Sequence, residues 1–197
     1  GDGENYYFLA EIQDNLTTTF EDAVPDQYLA AVVNPDDFGP WPQGANFAAV
    51  FKNTVFLAAQ ALNEVHFSAP AQPEVYPLGN RLYVGDDESG AITGLYATKN
   101  ALIVFKYNGI YMIKGNQMSG FESFTLSTGV GCIAPDSIAE IPGMGLVFLS
   151  AEGIHLLEGA LENTGTPTKV VPLHMPIPDW VDRINTGAAI QAQGVIY

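Results

Sequence analysis

Ala101–Gly115 reads ALIVFKYNGIYMIKG, and Gly145–Gly159 reads GLVFLSAEGIHLLEG. Each is an apolar run, a short polar turn, a second apolar run and a closing glycine. Ile103, Val104 and Phe105 precede the first break, and Val147 and Phe148 the second. After the break, Gly109-Ile110-Tyr111 answers Gly153-Ile154-His155. The Asn108-Gly109 pair is the strongest short-range hairpin signal a sequence carries. A fainter third copy, AVFKNTVFLAA, lies at Ala49–Ala59 with a shorter turn. Phe51 and Phe105 are about 54 residues apart, and Phe105 and Phe148 about 43, the size of a β-propeller blade. A hairpin repeated at this spacing predicts an all-β chain of four-stranded antiparallel blades. One such sheet cannot bury both its faces alone, whereas radial stacking buries them and protects the edges. A β-sandwich is the alternative, because short strands with frequent turns fit it as well.

The chain has 197 residues, 47% of them hydrophobic, which is enough for a sizeable core. Lysine and arginine number 7 against 22 acids, for a formal charge of −15. So acidic a surface argues against gripping nucleic acid or an anionic membrane, both of which need basic side chains. The single cysteine, Cys132, cannot form an internal disulfide. No apolar run is long enough to span a bilayer as a helix. The polar opening GDGEN does not read as a signal peptide. It and the apolar end GVIY are expected of a piece of a longer protein, one that supplies more blades.

Four regions are expected. Residues 1–33 form an N-terminal β segment, with strands at Tyr6–Gln13 and in LTTTFED. Leu29–Val33 reads equally as a strand or a helical turn. Residues 34–46 are a connector rich in proline and glycine, pinned to the body by Phe38 and Trp41. Residues 47–171 are the blades, at about 47–90, 91–127 and 137–171. Residues 172–197 hold a turn, a short helix Trp180–Ile184 capped by Asp179, and the lead-in strands of a further blade at Gly187–Tyr197.

Candidate chemistry is sparse. Asp86, Asp87 and Glu88 in GDDESG are the one candidate for a metal, calcium. Being consecutive, they lack the alternating spacing of an EF-hand loop and read better as a solvated acidic turn. Glu152 reads as a surface acid in the second hairpin's turn. His66, His155 and His174 are scattered, and His66 reads as a strand residue facing its neighbours. Cys132 sits among apolar residues and reads as a buried, inert thiol. Thr128–Pro135, TGVGCIAP, is glycine-rich but has no basic residue at the phosphate-loop position. There is no HExxH and no GxSxG, so no catalytic residue, cofactor or enzyme activity is expected.

Four segments in order carry a resemblance. They are Phe67-Ser68-Ala69-Pro70 with Pro73-Glu74-Val75-Tyr76-Pro77; Leu102–Gly115; Gly131-Cys132-Ile133-Ala134-Pro135 with Ser137-Ile138; and Phe148–Gly159. In this order they resemble the β-propeller proteins of tailed-phage tails and necks: nozzle or tail-tubular proteins and packaged-DNA stabilisation proteins. The resemblance spans most of residues 6–159, though members of that family are commonly longer. It implies a structural virion component, assembled in the host cytoplasm. Copies would form a ring that meets portal, adaptor or tail proteins. That ring would continue the DNA channel and help to retain or release the genome, without specific DNA binding and without a membrane. Two other classes compete. A carbohydrate-binding or adhesion propeller would need an aromatic-lined pocket, with Trp41, Tyr76 and Trp180 as loose candidates. A propeller hydrolase would need converging carboxylates.

Overall fold

In the computed structural model of the chain, twelve strands form three separate four-stranded antiparallel sheets. The structure describes residues 6–7, 9, 16, 19–21, 23–25, 28, 32–33, 42–59, 63–159, 169–173 and 183–195. A two-stranded pair, β1 (Tyr6–Tyr7) with β2 (Val32–Val33), precedes the sheets. Sheet 1 is β3 (Ala45–Phe51), β4 (Thr54–Ala59), β5 (Glu64–Phe67) and β6 (Arg81–Tyr83). Sheet 2 is β7 (Ile92–Ala97), β8 (Leu102–Lys106), β9 (Gly109–Asn116) and β10 (Gly120–Thr128). Sheet 3 is β11 (Ala139–Ile141), β12 (Gly145–Ser150), β13 (Gly153–Glu158) and β14 (Lys169–Pro172). Each sheet is a meander in which every strand pairs with its neighbour in sequence.

The side-chain period of two explains why the sheets stack. In the β8–β9 hairpin, Leu102 lies opposite Ile113 and Val104 opposite Tyr111, while Ile103 opposes Met112 and Phe105 opposes Ile110. All eight are buried. The first set packs on Phe51, Phe56, Ala58 and Val65 of sheet 1. The second packs on Leu146, Phe148 and Leu157 of sheet 3. Sheet 2 is therefore covered on both faces, and a strand with two buried faces reads as a continuous apolar run rather than as an alternation. Aromatic rings pin each interface. Phe56 meets Phe121 edge-on at 5.0 Å, and Phe105 lies 5.2 Å from Phe148. Between sheets 1 and 2, β3 packs beside β7 and β6 touches β10; between sheets 2 and 3, β14 touches β10. β3 and β7 each shift register just after their first residue, at Ala45/Phe47 and at Ile92/Gly94.

The three sheets run over residues 45–83, 92–128 and 139–172, and several local expectations fail. The segment Ala49–Ala59 forms the hairpin of the first and second strands, β3–β4, not of the second and third, as in the two good copies. Lys52 and Asn53, at φ 51 and 58, make its two-residue turn. Any tight hairpin with apolar arms gives that pattern, so the likeness reflects a turn rather than a repeat. In LTTTFED, the described residues 16 and 19–21 are not in strands; Leu16 and Phe20 are exposed, and β-propensity without a partner strand is not enough. The expected lead-in strands are instead a 3-10 helix, Thr186–Gln191, capped by the Asn185 side chain, followed by irregular backbone to residue 195. Its Ala189 packs with Leu149 and Ala134 against sheet 3, which favours a compact turn over an extended strand. Phe38, Trp41, Asp179 and Trp180 lie outside the described residues, and Ile184 is not helical.

Phe105 bridges sheets 2 and 3 with no exposed surface. Phe105→Ala is expected to destabilise the fold by about 3–5 kcal/mol, whereas Phe124→Ala, at a half-exposed position, changes it by less than about 1 kcal/mol. Urea unfolding followed by tryptophan fluorescence measures both.

Candidate functional site

The acids singled out in the sequence lie in the link from sheet 1 to sheet 2, and a lysine organises them. Lys106 ends β8 and, by alternation, shares the face of Leu102 and Val104 toward sheet 1. It has no exposed surface. Its Nζ donates to the Asn63 Oδ1 at 2.9 Å, the Asp86 carbonyl at 2.7 Å and the Val84 carbonyl at 3.3 Å. An ammonium has three protons, so all its donors are used. Asn63 passes the connection on, donating from Nδ2 to Asp87 Oδ1 at 2.6 Å. Burial pulls the Lys106 ammonium below the usual lysine range, and the charges of Asp86 and Asp87 oppose that pull.

Asp86 caps a 3-10 turn, Asp87–Ser89. Its carboxylate accepts from the Ser89 amide at 3.0 Å, and the Asp86 amide donates to the Ser89 hydroxyl at 3.2 Å. Bonding from Ser89 holds the Asp86 carboxyl below its ordinary range. Asp86, Asp87 and Glu88 thus have separate tasks or none: a cap, an amide partner and an exposed carboxylate. Among the described residues, no three His, Cys, Asp or Glu side chains come together as a metal site.

The β8–β9 turn closes over this link. Asn108 donates its amide to the Ser89 carbonyl at 2.9 Å, and Tyr107 to Ala91 at 3.0 Å. The connector from sheet 2 to sheet 3 then binds the same turn, through Gly129 to the Asn108 carbonyl at 2.7 Å and Cys132 to the Lys106 carbonyl at 2.9 Å. Ile133 carries it to Leu149 of sheet 3 at 2.9 Å. Gly131 has to be glycine, because a Cβ there would collide with the Lys106 carbonyl. A cleft of 450 Å³ opens beside the turn, lined by Asp86, Glu88, Asn108, Tyr111 and Thr128 among others.

At the matching place in sheet 3, Ser150 ends β12 where Lys106 ends β8. The Ser150 hydroxyl lies 3.0 Å from His155 Nδ1, which is also 3.2 Å from the Gly153 carbonyl. Both side chains are buried, and His155 stacks on Phe148 at 5.9 Å. Its ring therefore bonds within its own hairpin, and Glu152 is exposed in the turn. His66 is 3.3 Å from the Glu64 carboxylate, which also meets Arg81 on the neighbouring strand at 3.8 Å. His174 lies outside the described residues. The Cys132 thiol donates to the Ala134 carbonyl at 3.1 Å, and burial pushes it up to about 11. Tyr76 is buried, so the pocket-lining role considered for it finds no exposed ring. Among the described residues, no helix is long and apolar enough to cross a membrane.

Lys106→Met keeps the alkyl stem but leaves Asn63 and two carbonyls short of a donor. It is expected to lower stability by about 2–3 kcal/mol and to speed proteolysis in the link at residues 84–90, read by limited digestion and mass spectrometry. Cys132 is expected to resist an aromatic disulfide reagent at pH 8 for as long as the protein is folded, and to react within seconds in denaturant, followed by absorbance. No family model matches the chain and no curated protein matches it, so a functional reading rests on its residues and their geometry.

Proposed function

We propose that this chain is a structural component of a tailed-phage virion, part of a nozzle or neck ring that continues the DNA channel and helps to retain or release the genome. The observation that carries the reading is the stack of three consecutive four-stranded meanders, the middle one covered on both faces, with the last strand of each outer sheet, β6 and β14, against the last strand of the middle one, β10. That is how propeller blades follow one another. The segments behind the resemblance sit at the joints of such a stack. Leu102–Gly115 and Phe148–Gly159 are the hairpins β8–β9 and β12–β13. Gly131–Ile138 lies in the connector between sheets 2 and 3, and Phe67–Pro77 is the crossing from β5 toward β6. These are architectural positions, and a scaffold uses them without any reacting group. The formal charge of −15 suits a wall past which DNA slides without being held.

Light scattering and negative-stain microscopy of this chain, and of any longer chain that contains it, test the ring. The expected outcome is a ring-sized oligomer with a central opening for the longer chain at least. Monomers in both cases, at every concentration, would overturn the proposal.

A further inference from the structure

The cleft beside the β8–β9 turn carries a second, independent inference. Tyr111 lines it and is 4% exposed. Its ring is packed into the core between sheets 1 and 2, with the Lys106 ammonium 5.9 Å from the ring centre. Its hydroxyl fits a slot left by two glycines: a Cβ at Gly85 would come within 2.6 Å of that oxygen, and one at Gly109 within 3.1 Å. Among the described residues, nothing hydrogen-bonds this hydroxyl. A phenol so enclosed, on the wall of a cleft, is a polar group set to meet whatever enters.

The rest of the wall gives the chemistry of the ligand. The Glu88 carboxylate has no partner among the described residues, and one oxygen of Asp86 accepts from Ser89 while the other has none. Asn108 adds an amide and Thr128 a hydroxyl. Among the described residues, the cation bonded there is Lys106, whose protons are all taken by Asn63 and the Val84 and Asp86 carbonyls. The wall is thus rich in acceptors and negative in charge, which disfavours phosphate or carboxylate ligands. Its carboxylates do not converge as a metal set does. We infer that the cleft is a binding site for an organic cation, a guanidinium or primary ammonium group. Such a group would donate to Glu88 and Asp86 and accept no proton, while the Tyr111 oxygen receives a further N–H. A volume of 450 Å³ holds such a group with its alkyl stem.

Nitrogen–proton correlation spectra of the full chain, titrated with N-acetyl-arginine amide and separately with spermidine, test this. Sodium chloride at matched ionic strength is the blank. Saturable shifts are expected at the amides of Gly85, Gly90, Asn108 and Gly129, with a dissociation constant of about 1 mM or below. Tyr111→Phe keeps the ring and its packing and is expected to weaken binding at least about threefold; Glu88→Gln, on the exposed rim, is expected to do the same. Tighter binding of the arginine amide would mark a side chain of a partner protein as the source, and tighter binding of spermidine a free polyamine. Shifts that only follow ionic strength would overturn the site, as would equal affinity in the Glu88→Gln protein or in a folded Tyr111→Phe protein.

Discussion

The β8–β9 hairpin has no polar face to give to water. Its two sets of side chains, Leu102, Val104, Tyr111 and Ile113 on one face and Ile103, Phe105, Ile110 and Met112 on the other, are all buried. At roughly 1.5–3 kcal/mol for each large apolar side chain removed from water, neither face can be left open. Two further sheets are therefore a requirement, and sheets 1 and 3 supply them. Their own strands are shaped by the same demand. Phe56 and Phe67 of sheet 1 close on Phe121, and Phe148 of sheet 3 closes on Phe105.

A sheet buried on both faces has only its loop ends for polar business, and there the chain places Lys106. An ammonium with no exposed surface is tolerable because three acceptors meet its three protons. Those acceptors come from the end of sheet 1 and from the link, so the lysine ties the path between two sheets to the turn of the second. The cap by Asp86 and the amide bridge of Asn63 to Asp87 extend the same network into the acidic loop. Acids that read in sequence as a solvated turn are thus partly structural. The cleft at Tyr111 lies beside this network, with Asp86 in its wall.

What could be read from the sequence was what local chemistry fixes. Asn108-Gly109 marked the turn of the first hairpin and Gly153-Ile154-His155 the matching break of the second, and the structure has a hairpin at each. The apolar runs LIVF and IYMI marked strands buried on both sides. Cys132 among apolar residues was legible as a buried thiol. The role of Lys106 was not, because at the end of LIVFK a lysine looks like an ordinary strand terminus. Its acceptors lie 20 to 43 positions away, at a distance that no local pattern spans. The only hint was that its neighbour in the turn, Tyr107, is followed by Asn-Gly, which puts position 106 inside the sheet rather than in the loop. The third copy misled for the opposite reason. A two-residue turn between apolar arms, Lys52-Asn53, looks the same whichever strands it joins. LTTTFED and the tail at 187–195 show the limit of propensity, since neither finds a partner strand among the described residues.

The distribution of charge bears on the proposed place beside DNA. The chain has only 7 basic side chains. Lys106 is sealed inside, and Arg81 faces the Glu64 carboxylate at 3.8 Å. The positive charge free to meet phosphates is therefore smaller than the composition alone suggests. Each phosphate neutralised on binding requires a lysine or arginine at the surface, and affinity for a polyanion scales with how many are presented. A wall made of this chain would meet the double helix with net repulsion, screened beyond a distance of about 8 Å at physiological salt. Such a wall holds DNA by enclosing it and leaves it free to move along its axis, so retention in a ring of this kind would depend on the width of the opening and on the partner that closes it.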